Sequence, residues 1–366
     1  MRPSEFDFNK FHYHMEEQQK RLRRFASNTE RFLPVVQRPG GEHFDTMSHC
    51  KEDSLAAQLS MLADSIKLYS DFGYNYLEPW HGVGVYAAAF GSEVVWYRHS
   101  APQTRYAYHS IDEIRNLAYP DLKKCEMLQM VLETIRYFRE QTGDAIPLCL
   151  TDTQSPNDTA SLILDSCAFF EGTIEEPETV AHLLRLVTRL ITEFSDIQRE
   201  AIGAGNICEP GHTIISDTTF QGISLSEDNM AFISPSVFAT SAMPYNQELS
   251  NHFGGIAVHS CGEVKHNLPL LTAMEGLQWV ELAVGYGNAS WPVDPNPNNA
   301  EDLLELFAGT DITVKARVGP FELERIFPLL TPRVKLIVDL CTYGSIDERN
   351  RQYSEAKEIL LANYHE

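Results

Sequence analysis

His259, Ser260, Cys261 and Gly262 follow one another directly after the apolar run GIAV, and Cys341 follows a second apolar run, VKLIVDL. An imidazole and two thiolates form a good zinc-binding set, and three protein ligands leave one position open for catalysis. If the first run is a strand, His259 and Cys261 project to one side of it, because strand side chains repeat with period two. Gly262 then lets the backbone turn away into the next helix. The same residues have a plainer reading. Buried cysteine behaves as a small apolar residue, and His259 could be a hydrogen-bonded core histidine.

Other reactive groups close other apolar runs. Asp152 follows AIPLCL, Asp217 follows HTIIS, Glu281 lies within WVELAV, and Lys315 and Arg317 close a further run. Asp152-Thr153-Gln154 could hydrogen-bond a substrate or cap a helix. Glu227-Asp228 could be active-site carboxylates or the acidic start of a helix. Cys208 and His212 are four apart, but Pro210 and Gly211 between them point to a loop. His12-Tyr13-His14 falls in a polar extension and reads as solvated. Gly82-Val83-Gly84 lacks the third glycine of a dinucleotide-binding fingerprint.

The elements that position these groups can be read from periodicity. Apolar runs at 145–150, 212–216, 255–259, 279–283, 312–316 and 334–339 are short and apolar on both faces, as buried parallel strands are. Runs at 33–36 and 94–97 could bring the number of strands to eight. Amphipathic helices alternate with them at about 55–70, 124–141, 235–252, 300–307 and 346–361. Pro244 should kink the third of these. The clearest helix begins at Pro177 and carries a stripe of Val180, Leu183, Leu184, Val187, Ile191 and Phe194, ending near Gly203. This alternation predicts an α/β fold, a (β/α)8 TIM barrel, with an open doubly wound sheet as the alternative. Residues 1–30 read as a helical extension packed outside the core, and 31–366 as one barrel domain. The stretch 288–299 (NASWPVDPNPNN) reads as a long loop.

The 366 residues contain 51 acidic and 29 basic side chains, a net charge of −22. That charge opposes binding to nucleic acid or an anionic membrane. The N-terminal segment has no apolar core of a secretory signal, and no run is long enough to span a bilayer. Seven widely spaced cysteines do not form a disulfide framework. The expected compartment is therefore the cytoplasm.

The run ISPSVF at 233–238, then Pro244-Tyr245, then Gly255 leading to HSCG at 259–262, resembles the uroporphyrinogen decarboxylase superfamily. So do Ala89-Phe90-Gly91, DEIRNLAYPD at 112–121, and Glu176-Pro177-Glu178. The resemblance runs from Tyr76 to the C-terminus and implies a (β/α)8 barrel. The superfamily has a cofactor-free decarboxylase branch and a branch of zinc-dependent methyltransferases, including the methylcobamide:coenzyme M enzymes. The latter carry a His-x-Cys pair and a distant Cys as zinc ligands, which His259, Cys261 and Cys341 match. The decarboxylase pattern fits worse. Its arginine-rich segment falls at Gln37-Arg38-Pro39-Gly40-Gly41, with one arginine, and its aspartate, tyrosine and serine fall near Gly82, Leu162 and Asp228.

The resemblance thus implies one zinc per chain, activating a small-molecule thiol that takes a methyl group from a methylated substrate or a corrinoid protein. A fourth ligand is left open among Asp228, Glu227 and Glu281, and Asp152, Lys315 and Arg317 are candidates for holding substrate. Three alternatives stand beside this reading: cofactor-free decarboxylation of a tetrapyrrole, a different metal-assisted reaction on the same ligands, and a non-catalytic binding protein on the same barrel.

Overall fold

The computed structural model describes residues 1–27, 33–37, 50–97, 100–203, 207–208, 220–289 and 291–365. Among these residues the strands are β1 Val35–Gln37, β2 Glu93–Val95, β3 Gln103–Arg105, β4 Leu148–Cys149, β5 Ile207–Cys208, β6 Ile223–Ser226, β7 Ile256–Ser260, β8 Leu277–Ala283, β9 Gly287–Asn288, β10 Trp291–Pro292, β11 Thr313–Val318 and β12 Lys335–Leu340.

Six of them form a continuous sheet in the order β1-β12-β11-β8-β7-β6, with every neighbouring pair parallel. Parallel bridges carry the arc onward. Ser226 of β6 meets Gln154, β4 pairs with β5, and Leu77 meets Leu148. The arc returns to β1 through Asp71, whose backbone N–H donates to the Val35 carbonyl at 3.1 Å and whose carboxylate accepts the Val35 N–H at 2.8 Å. The chain is a (β/α)8 barrel.

One strand expectation changes. The run at 94–97 does not join the ring; Glu93–Val95 pairs antiparallel with Gln103–Arg105 in a local hairpin. Its residues are partly exposed, so it needs no cover on both faces. The ring uses the Leu77 segment and β6 instead, neither of which stood out as an apolar run. The expected strand at 212–216, with Asp217 and His212, lies outside the described residues, as do 38–41.

The helices follow their sequence signals closely. Pro177–Ile202 starts on its proline and buries the expected stripe together with Leu190. It stops at Gly203, whose φ of +90° is costly for a residue with a side chain. Pro244 does more than kink its helix. Helices Pro235–Ser241 and Met243–Phe253 are separate, divided at Ala242, because proline has no N–H to donate and its ring clashes with the preceding turn. The last helix, Ile346–Ala362, begins with a capping box between Ser345 and Glu348.

Strand alternation builds two cores. Val35, Val258, Val280 and Val338 point outward into the layer between strands and helices. Their neighbours Val36, Ala257, Trp279 and Ile337 fill the barrel interior. Leu22 and Phe25 join this inner cluster, so helix Phe8–Ala26 does not pack outside the core. It caps the end of the barrel where the strands begin. The opposite end, where the strands finish, is left for chemistry.

Candidate metal centre

The strand β7 delivers His259 into the barrel and Cys261 to its rim, one inward position further along. Gly262 turns the chain immediately afterwards with φ of +79°. The strand β6 ends beside them in register, Ser226 opposite His259, and Asp228 follows at the start of a short 3-10 turn, Asp228–Ala231. Three donor atoms, one each from Asp228, His259 and Cys261, lie within 4.8 Å of one another. His259 Nε2 is 3.3 Å from Cys261 Sγ and 3.6 Å from Asp228 Oδ1. A tetrahedral zinc with bonds of about 2.0–2.3 Å needs its ligand atoms roughly 3.3–3.6 Å apart. The donor types and the two spacings measured from His259 fit that ion.

The other face of the imidazole is committed. His259 Nδ1 is hydrogen-bonded to Glu281 Oε2, and Glu281 is wholly buried. Glu281 in turn pairs with Arg317 Nε at 2.6 Å. Arg317 lies 3.9 Å from Asp294, which accepts the Gly262 N–H at 2.9 Å. A carboxylate behind a histidine fixes the ring and its tautomer, so that Nε2 is the nitrogen presented to a metal. Burial works against a charged His259, but Glu281, the Cys261 thiol and Asp228 outweigh it and push the imidazole up to about 10. A proton on the imidazole is thus favoured, and a metal at Nε2 would have to displace it.

These positions divide the three carboxylates that sequence left open. Asp228 is on the Nε2 side, with Cys261. Glu281 is behind the ring. Glu227 is wholly buried and accepts a hydrogen bond from Asn246 Nδ2 at 2.7 Å. Burial raises its carboxyl to about 7, against the Asn246 hydrogen bond and with help from Asp228.

The remaining sequence candidates are dispersed around this centre. Cys341 leaves β12 on the same rim as Cys261, since the strands are parallel, but it is not among the converging donors. It lines a separate cleft with Gly319, Phe321, Glu322 and Tyr343. Arg317 is nearly buried in the relay described above. Lys315 is wholly buried one inward position below it, 3.5 Å from Asp339, which also accepts the Tyr74 hydroxyl at 3.1 Å. Asp152 is buried opposite, held by the Trp80 indole N–H at 3.3 Å and the Gln154 amide at 3.0 Å. Burial raises its carboxyl against those two bonds; His259 and Asp228 also act on it, so it belongs to the same electrostatic centre. Cys208 is buried beside its register partner Cys149, while its proposed companion His212 lies outside the described residues. His12 and Tyr13 are exposed, as expected of a solvated stretch, but His14 is partly buried and its Nε2 is closed off from solvent.

Sequence reasoning passed over three residues that the fold recruits: Trp80, Asp158 and Asp294. Asp294 sat in a stretch read only as a proline- and asparagine-rich loop. A single acid among prolines carries no periodic signal, so nothing local marked it.

The uroporphyrinogen decarboxylase (URO-D) family model matches residues 31–284 of this chain. Among solved structures, a methyltransferase from Methanosarcina mazei is similar over 94% of this chain and 99% of its own, with a TM-score of 0.64 and 14% identity. A DUF72 family protein from Enterococcus faecalis V583 aligns over 63% of this chain and 84% of its own, at 9% identity and a TM-score of only 0.30. No curated protein matches.

Proposed function

The chain belongs to the uroporphyrinogen decarboxylase family, and on that premise we propose that it is a zinc-dependent methyltransferase acting on a small thiol. The observation that carries this reading is the convergence of one donor atom each from Asp228, His259 and Cys261, all within 4.8 Å of one another, on the rim of the barrel where the strands end. Zinc held there would supply Lewis acidity and favour the thiolate form of a coordinated substrate thiol near neutral pH. His259 would bind through Nε2 while Glu281 and Arg317 hold its ring from behind. Cys261 and Asp228 would supply sulfur and oxygen. Cys341, on the same rim, would be the second thiolate of this reading. Asp152, oriented by Trp80 and Gln154, would position the substrate across the mouth. Lys315, paired with Asp339 beneath, supports the floor of the site. The methyl donor would be a small methylated molecule or a corrinoid protein docked on the rim.

Metal analysis of the purified protein should find about one zinc per chain. Cys261→Ser should weaken zinc binding strongly while the barrel stays folded, because the site rests on a preformed core. Chelator-treated, metal-free protein that decarboxylates a tetrapyrrole at full rate would overturn the assignment.

A further inference from the structure

Asp228 stands on a short turn and would be a poor ligand if that turn could wander. Its backbone is gripped from below. Asp158, in helix Pro156–Ile163, is 5% exposed and has both carboxylate oxygens engaged. Oδ2 accepts the Asp228 N–H at 2.6 Å, and Oδ1 accepts the Asn229 N–H at 2.9 Å. The Asn229 amide completes the latch, donating to Asn157 Oδ1 at 3.0 Å and to Ser161 Oγ at 3.0 Å. From above, Asp228 Oδ1 accepts the Cys261 N–H at 2.7 Å. The ligand oxygen is therefore pinned between two fixed points, one on the helix and one on the β7 rim.

We propose that Asp158 is a positioning residue for metal binding: by clamping the backbone of 228–229 it holds the Asp228 carboxylate where His259 and Cys261 converge. This rests on the metal reading of the site. Asp158 itself is not a ligand, since its oxygens are spent on backbone N–H groups. A carboxyl that spans two consecutive N–H groups, one on each oxygen, is a geometrically exacting contact, and an amide in its place keeps only one acceptor.

The test uses the intact chain loaded with Co²⁺, whose visible spectrum reports its ligands, with affinity measured by chelator competition. Asp158→Asn should weaken Co²⁺ binding about 10- to 100-fold, the range for lost outer-shell partners. It should shift the d–d bands in the same sense as Asp228→Asn and leave the thiolate-to-cobalt band in place. If Asp158 acts through Asp228, then Asp158→Asn added to Asp228→Asn costs no further affinity; residues acting as one unit are not additive. A double variant showing the full product of the two single losses would overturn the proposal, as would unchanged affinity and spectrum in Asp158→Asn. If that variant does not fold, Asp158→Ser, which keeps a short acceptor, takes its place with the same expected outcomes. A wild-type chain that binds no Co²⁺ would remove the metal reading as well, whereas a wild type that binds beside an indifferent Asp158→Asn would remove this inference alone.

Discussion

Carboxylates crowd the mouth of this barrel, and each has its own partners. Glu281 faces the back of His259 and Arg317, Asp158 faces backbone N–H groups, and Asp152 faces Trp80 and Gln154. Glu78 is different: burial, with Asp152 nearby, raises its carboxyl from an ordinary 4.5 to about 8. Between those two values the folded chain holds the proton more firmly than the unfolded chain does. Stability must then fall as pH rises through that window, and the loss is complete above about 8. Glu78→Gln, which cannot ionise, should flatten the decline. Urea unfolding at about pH 5 and about pH 8.5 checks it: the gain of the variant over wild type should be larger at the higher pH. An equal difference at both would show that Glu78 titrates normally.

Among the elements, helix Phe8–Ala26 does the least expected work. Phe25 is 6% exposed, lies 6.3 Å from the Phe72 ring between centroids, and sits under the Lys335 ammonium at 5.6 Å. It helps seal the end of the barrel away from the metal centre. Phe25→Ala should lose about 3–5 kcal/mol of unfolding free energy, the usual range for a buried phenylalanine. Metal affinity per folded chain should stay unchanged, because the inner cluster and the Lys315–Asp339 pair separate the two ends. Chemical unfolding and a metal titration on the same preparation decide this. A variant of wild-type stability would mean that the helix merely rests on the surface.

On the scale of the whole molecule the charge of −22 governs encounters. It repels polyphosphate at long range, with steep dependence on salt. The chain should pass through an immobilised duplex DNA or RNA column at about 0.15 M salt; retention that weakens with added salt would contradict this. Among the described residues no helix is long and apolar enough to cross a membrane. Two inward-facing cations near the rim, Lys315 and Arg317, are paired with Asp339 and Glu281. Their charge is spent inside the protein.

The barrel and the His259–Cys261 pair were legible in the sequence because they depend on local rules. Apolar runs with both faces covered mark parallel strands, and period two puts residues 259 and 261 on one side. The strand at Leu77 was not legible, because one bridge residue leaves no run to see. Nor was the choice among Asp228, Glu227 and Glu281. All three occupy strands or strand ends next to His259, so spacing treats them alike. Tertiary structure separates them by what else each carboxylate meets: Glu281 meets Arg317, Glu227 meets Asn246, and Asp228 is turned toward Cys261 by a clamp from Asp158, some seventy positions earlier. A side chain's direction at the end of a strand is set by contacts distant in sequence, and only the closed barrel brings them together.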